Sequence, residues 1–178
     1  MPASTRVAWI DVSAGVAGDM LLAALLDVGA ALPAVQAAVD AVLPGAVTLS
    51  TAPVVRAGLR AAKLSVNVAV PQQPHRRWRD LRATLEQAQL AEPVRRDALA
   101  VFAKLAHAEG RVHGVDPGDI HFHEVGAVDS VADIVGVCAA IGDLGIGQLS
   151  AGPIALGSGE VLTEHGVLAV PVPAVLEL

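Results

Sequence analysis

The chain has 178 residues, a net charge of -6 and a pI near 5.4. That length suits one well-buried domain rather than two, and the acidic balance offers a nucleic-acid backbone no general attraction. A single cysteine, Cys138, excludes an internal disulfide and a multi-cysteine zinc cluster within this chain. Only four aromatic rings, Trp9, Trp78, Phe102 and Phe122, accompany a mean hydropathy of +0.55, so Ala, Val, Leu and Ile must build the core. No charge-free apolar run reaches ~18 residues without Pro or Gly, and the apolar run Val7 to Ile10 is too short for a signal peptide. The expectation is a cytoplasmic protein with no membrane or nucleic-acid partner.

Arg6 to Val12 reads as a short buried strand. A loop of small residues follows, Ser13 to Asp19 with Gly15 and Gly18, and then a helix from Met20 to Val28 with a Leu21, Leu22, Leu25, Leu26 stripe, stopped by Gly29. A strand, glycine loop and helix present free backbone N–H groups that can cradle an anion. The loop has no P-loop lysine, however, and Asp19 puts negative charge where a phosphate would sit. Asp11 and Asp19 would instead hold Mg²⁺ or Mn²⁺ carrying a phosphate, because hard oxygen ligands suit those ions. The plainer reading makes Asp19 a charge on the helix dipole and the glycines mere turns.

Pro33 to Leu43 is a second amphipathic helix, closed by Pro44-Gly45. Two strand-like runs, 46–55 and 59–70, flank Arg56-Ala57-Gly58 and predict an antiparallel hairpin with one exposed face. Beyond a Pro71–Pro74 linker, Arg76, Arg77, Arg79 and Arg82 read as a solvated helix start or as acceptors for a substrate anion. Helices are expected over 78–88 and 93–112, with His107 and His113 near the end of the second, where a cationic imidazole suits the dipole. Further on, 130–142 reads as a deeply buried helix, 148–156 as a strand, and Pro171-Val172-Pro173 as an extended approach to a short helix. The fold class is α/β: a mixed, partly antiparallel sheet with packed helices, its strands drawn from 6–12, 46–55, 59–70 and 148–156.

Chemistry concentrates between His121 and Asp133, where two histidines and three carboxylates fall within thirteen residues. An extended run puts His121 and His123 on one face and Phe122 and Glu124 on the other. If Asp129 caps the following helix, Asp133 lies one turn above it, on a buried helix where a carboxylate needs a partner. Paired imidazoles with nearby carboxylates are the material of a divalent-metal site or an acid/base pair. His121, His123 and Glu124 are therefore the candidate catalytic residues, and His121, His123, Asp129 and Asp133 the candidate metal ligands. Asp11, Gly15, Gly18 and Asp19 are candidates for binding substrate or nucleotide phosphate. Cys138, within an apolar helical pattern, reads as a buried hydrophobe.

The segments Asp11-x-x-x-Gly15-x-x-Gly18-Asp19-Met20, Leu105-Ala106-x-Ala108-Glu109-x-x-Val112-His113-Gly114, His121-Phe122-His123-Glu124-Val125-Gly126-Ala127-x-Asp129-Ser130-x-x-Asp133 and His165-Gly166-x-Leu168-x-Val170-Pro171-x-Pro173 resemble, in order, the LarC family. That family inserts nickel into the precursor of the nickel-pincer cofactor of lactate racemase. The resemblance implies a lyase-class cyclometallation, in which nickel is bonded to carbon and sulfur of pyridinium-3,5-bisthiocarboxylic acid mononucleotide and CTP, with Mg²⁺ or Mn²⁺, goes to CMP and pyrophosphate. It adds His165 to the candidate substrate contacts. It also implies that 1–178 is an N-terminal domain whose partner is a C-terminal CTP-binding domain absent from this chain, in a homo-oligomer. Ala17 stands where the family usually has Ser. Two other readings are a non-catalytic nickel- or precursor-binding module acting with a separate C-terminal domain, and a metal-dependent phosphoester hydrolase.

Overall fold

The computed structural model describes residues 6–69, 76–122, 128–163 and 165–178. Its centre is the helix α5 (Val128–Asp143), apolar almost all round, with Val131, Ala132, Val135 and Ala140 fully buried. A helix apolar on every side must be covered on every side. The helices α1 (Gly18–Asp27) and α2 (Leu32–Val42) cover one flank through Leu22, Val35 and Val39. They come closest at Gly136, where a Cβ would stand 2.6 Å from Leu22 Cδ2 and 3.3 Å from Val35 Cγ1. Asp143 at the far end of α5 accepts the Ala31 N–H at 2.8 Å, so the start of α2 is tied to the end of α5.

The strands β1 (Arg6–Ile10) and β6 (Ile146–Ala151) pair in parallel, from Arg6 with Ile146 to Ile10 with Ala151. The strands β2 (Val47–Arg56) and β3 (Leu59–Val68) form the expected antiparallel hairpin, its turn made by Ala57 and Gly58, both at positive φ. Val47, Leu49 and Leu64 are buried on its inner half, against α1, α2 and α5. The side chain of Gln36 fastens α2 to that hairpin, donating to the Val47 carbonyl at 3.0 Å and accepting the Leu49 N–H at 2.7 Å.

The scarce aromatic rings extend the same core. Helices α3 (Trp78–Gln87) and α4 (Glu92–His113) bring Trp78 and Phe102 together with Phe122, all buried, at centroid separations of 6.1 to 6.3 Å. Phe122 comes from β5 (His121–Phe122), which pairs with β4 (Arg76–Arg77). The chain continues through an antiparallel hairpin, β7 (Glu160–Thr163) and β8 (Gly166–Ala169), into the short helix α6 (Pro173–Leu176). Arg111 of α4 holds that last segment by hydrogen bonds to the Glu177 carboxylate and backbone carbonyl.

The α/β class and the expected helices are present, but the four expected strands do not join one sheet. Among the described residues, β1–β6 and β2–β3 are separate two-stranded ladders. The hairpin lays its apolar half over the helices instead of offering an edge to β1. The strand expected over 148–156 stops at Ala151, where Gly152 and Pro153 follow and Pro has no N–H to donate to a ladder.

Candidate functional site

Two places gather functional side chains. The first lies at the carboxyl end of β1. There α1 begins, and α5, which leads into β6 after one turn, presents its N-terminal end to the same region. The positive ends of two helix dipoles therefore face one locality. Asp11 closes the strand and accepts the Ser13 N–H at 3.0 Å; hydrogen bonds from Ser13, hydroxyl first and backbone second, hold its carboxyl below the usual carboxylate range. Gly15, at φ +86°, donates to the Val12 carbonyl at 3.0 Å, with Ala155 O just beyond where a Cβ would be.

Gly18 opens α1, and it makes room for Asp133. A Cβ on Gly18 would stand 2.8 Å from both Cβ and Oδ2 of Asp133. Asp19 and Asp129 lie near enough for their charges to act on Asp133. Burial first, then the charges of Asp19 and Asp129, pushes the Asp133 carboxyl up to about 6, and a backbone N–H from Asp19 works in the opposite direction. Among the described residues the buried Oδ1 has no hydrogen-bond partner. The partner expected for this carboxylate is thus supplied on one oxygen and missing on the other. Asp129 falls in the first turn of α5, rather than at its cap, and accepts the Ser130 N–H at 2.7 Å.

The second place is a cavity of about 170 Å³ between the last turn of α4, β5, the β7–β8 hairpin and α6. Its walls are mostly apolar, including Val112, Phe122, Leu168 and Val172, with Glu109, His113, Thr163 and His165 supplying the polar groups. The imidazoles of His113 and His165 face one another with centroids 5.1 Å apart and planes 52° apart. Glu109 Oε2 lies 3.5 Å from His113 Nε2, one helical turn back. On the other side, Thr163 Oγ1 accepts the His165 N–H at 3.1 Å and donates to the Gly166 carbonyl at 3.0 Å, which fixes the turn that carries His165.

His165 was legible as a candidate, but its partner was not. His113 reads from the sequence as a helix-end charge. The one available signal was its place in a single motif, Glu109-x-x-Val112-His113-Gly114, whose Gly114 caps α4 at φ +67°.

His121 is exposed and pairs across the ladder with Arg77, while its neighbour Phe122 is buried and lines the cavity. His123 and Glu124 lie outside the described residues. Among the described residues no three His, Cys, Asp or Glu side chains are gathered closely enough to hold one metal ion between them. Cys138 is buried, and burial pushes its thiol up to about 12, so it is an inert packing residue and no metal ligand. No helix among the described residues is long and apolar enough to cross a membrane.

Comparison with known proteins places the chain in a family. The family model described as nickel insertion protein matches residues 8–178. A Nocardioides sp. protein named pyridinium-3,5-bisthiocarboxylic acid mononucleotide nickel insertion protein is 52% identical over 171 residues, covering 96% of this chain and 43% of its own. Proteins of Geobacter metallireducens and Geobacter sulfurreducens, provisionally named nickel insertion proteins, are 47% and 46% identical over 97% of this chain and 45% of theirs. No solved structure matches. The chain spans less than half the length of these relatives, and over that span it belongs to the nickel insertion protein family.

Proposed function

We propose that this chain takes part in inserting nickel into pyridinium-3,5-bisthiocarboxylic acid mononucleotide, the compound in its Nocardioides relative's name. The observation that carries the reading is the cavity where Phe122, from the histidine stretch, meets the His113–His165 pair. A planar pyridinium ring suits walls of Phe, Val, Leu and Pro, which bury apolar surface without competing for its acid groups. Imidazole nitrogen suits Ni²⁺ better than it suits Mg²⁺.

The chemistry has simple proton bookkeeping. A nickel–carbon bond on the ring replaces a C–H bond, so a base must take that proton, and the thiocarboxylate sulfur supplies the second bond to nickel. Glu124 and His123, directly after Phe122 in sequence, are the proposed base and its partner, with His121 a further proposed nickel contact. The nucleotide phosphate falls to the loop of Asp11, Gly15, Gly18 and Asp19. CTP is the proposed co-substrate and the reaction a lyase-class cyclometallation that matures the cofactor of lactate racemase.

Mg²⁺ or Mn²⁺ would accompany the CTP. The orphaned Oδ1 of Asp133, close to Asp19 and Asp129, fits such an ion, which keeps several waters and uses one or two carboxylates together with phosphate oxygens. That mode does not require three protein ligands.

Incubating the chain with the mononucleotide, NiCl₂, MgCl₂ and CTP, and following the nickelated product by mass spectrometry, tests the reading. Product that depends on CTP is expected. A second reading makes the chain a module that binds nickel or the mononucleotide for a separate C-terminal CTP-binding domain in a homo-oligomer. Binding with no turnover, restored on adding a relative's C-terminal portion, would favour that module.

A further inference from the structure

We infer that the β7–β8 hairpin and α6 together form a hinged flap over the apolar cavity, latched to α4 through Arg111 and Glu177 and pivoting at Gly157. The motion is argued from this chain alone. Only its coupling to a bound ring rests on the reading that the cavity takes the pyridinium mononucleotide.

Burial sets the segment apart. In chain order Leu144 is the last buried side chain among the described residues. Leu162, Val167 and Leu176 beyond it are 79%, 62% and 67% exposed. The two strands of the hairpin pair with each other and, among the described residues, with no other strand. A two-stranded hairpin and a helix of 4 residues are each too small to stand by themselves in water. Docking therefore sets their place, and a segment docked with so little buried apolar surface opens at a small fraction of the free energy that unfolds the core.

The surface they dock on is the cavity. Leu168 of β8, with Val172 and Pro173 at the entry to α6, forms one wall, and Val112 and Phe122 form the other. Phe122 is packed into the aromatic core and Val112 belongs to the long helix α4, so their wall stays when the flap lifts. The cavity thus has one fixed side and one side that can move away, which lets a planar ring enter and leave without disturbing the core.

A latch and a hinge are both in place. Arg111 reaches from α4 to the carboxylate and the backbone carbonyl of Glu177, so one guanidinium ties the end of the flap. Their side chains are 56% and 42% exposed, and an ion pair in that much water breaks readily and weakens with salt. At the other end the Ala155 N–H donates to the Val12 carbonyl at 3.2 Å and fixes the approach to the hairpin. The Val170 N–H donates to the Gly159 carbonyl at 2.9 Å, so Gly159 travels with the flap. Gly157 lies between these two anchors at φ +77°, in backbone space that glycine enters and leaves without the steric cost other residues meet.

Hydrogen–deuterium exchange of the full chain, read by mass spectrometry, tests the flap. Peptides from the hairpin and from α6 should show matching protection, at least about a hundredfold below that of 131–140 in α5. Arg111→Gln should lower protection in the hairpin and α6 together, by about two- to fivefold. High salt, about 1 M NaCl, should do the same to the wild type and little to the variant. Arg82→Gln, which breaks a similarly exposed pair with Glu86 on α3, should leave both segments unchanged. Saturating pyridinium mononucleotide should raise the protection of the hairpin and α6 in the wild type. A hairpin as protected as α5 overturns the flap. So does an Arg111→Gln effect that fails to reach the hairpin, which would mark a frayed helix instead of a moving unit. Opening as a unit that the mononucleotide leaves unchanged upholds the flap and counts against the cavity as the place of the ring.

Discussion

Gly18, at the start of α1, and Asp133, in the second turn of α5, approach so closely that a Cβ on Gly18 would stand 2.8 Å from Asp133 Cβ and Oδ2. The glycine is required by the carboxylate it faces. Asp133 is rooted in the most buried helix of the fold, so the neighbour cannot withdraw freely, and Gly18→Ala should destabilise the chain by about 1–3 kcal/mol. Chemical unfolding compares the two. Gly45→Ala, where no atom lies within 4 Å but φ is +65°, shows what backbone strain alone does.

Asp133 gives the fold a pH dependence opposite to that of a salt-bridged carboxylate. Its pKa rises from 3.8 to about 6 on folding, so between those values the native state binds more protons than the unfolded state. The group's contribution is therefore most favourable below about pH 4 and is lost as pH rises through 6. Discounted for solvent around a partly buried side chain, the change is about 1–2 kcal/mol. Asp133→Asn should remove that slope, seen as wild-type and variant stabilities that diverge between pH 4 and pH 7, with the variant more stable at pH 7.

A divalent cation should reverse the comparison. If Mg²⁺ with CTP uses Asp133, adding both at pH 7 should raise the melting temperature of the wild type and leave Asp133→Asn nearly unmoved. Equal shifts in both proteins would place the nucleotide complex elsewhere.

Phe122 joins packing to the cavity. It contacts Trp78 and Phe102 on one side and lines the pocket on the other. Phe122→Ala should cost about 3–5 kcal/mol, whereas Phe122→Leu keeps most of the buried volume. The leucine variant should stay folded and bind the pyridinium mononucleotide more weakly.

Much of the fold was legible because the pattern is local. The alternation around Arg56-Ala57-Gly58 encodes a hairpin, and the apolar character of 131–141, broken only by Asp133, encodes a buried helix. Asp133 stood out because a carboxylate inside such a helix demands company. What escaped was tertiary. No residue in β2 states that it packs on helices instead of pairing with β1. His113 and His165 are far apart in sequence and meet only because Arg111 and the β7–β8 turn fold the chain end back onto α4. Both residues sit in the segments that resemble the family, so the motif held the information while the geometry had to supply its meaning.

The most direct measurement is a crystal structure of the chain soaked with NiCl₂ and the pyridinium mononucleotide, with nickel located by anomalous scattering at its absorption edge. The ring is expected between Phe122, Leu168 and Val172, with nickel beside it in the same cavity. Nickel and ring together on the Asp11–Asp19 loop, with the cavity empty, would contradict it.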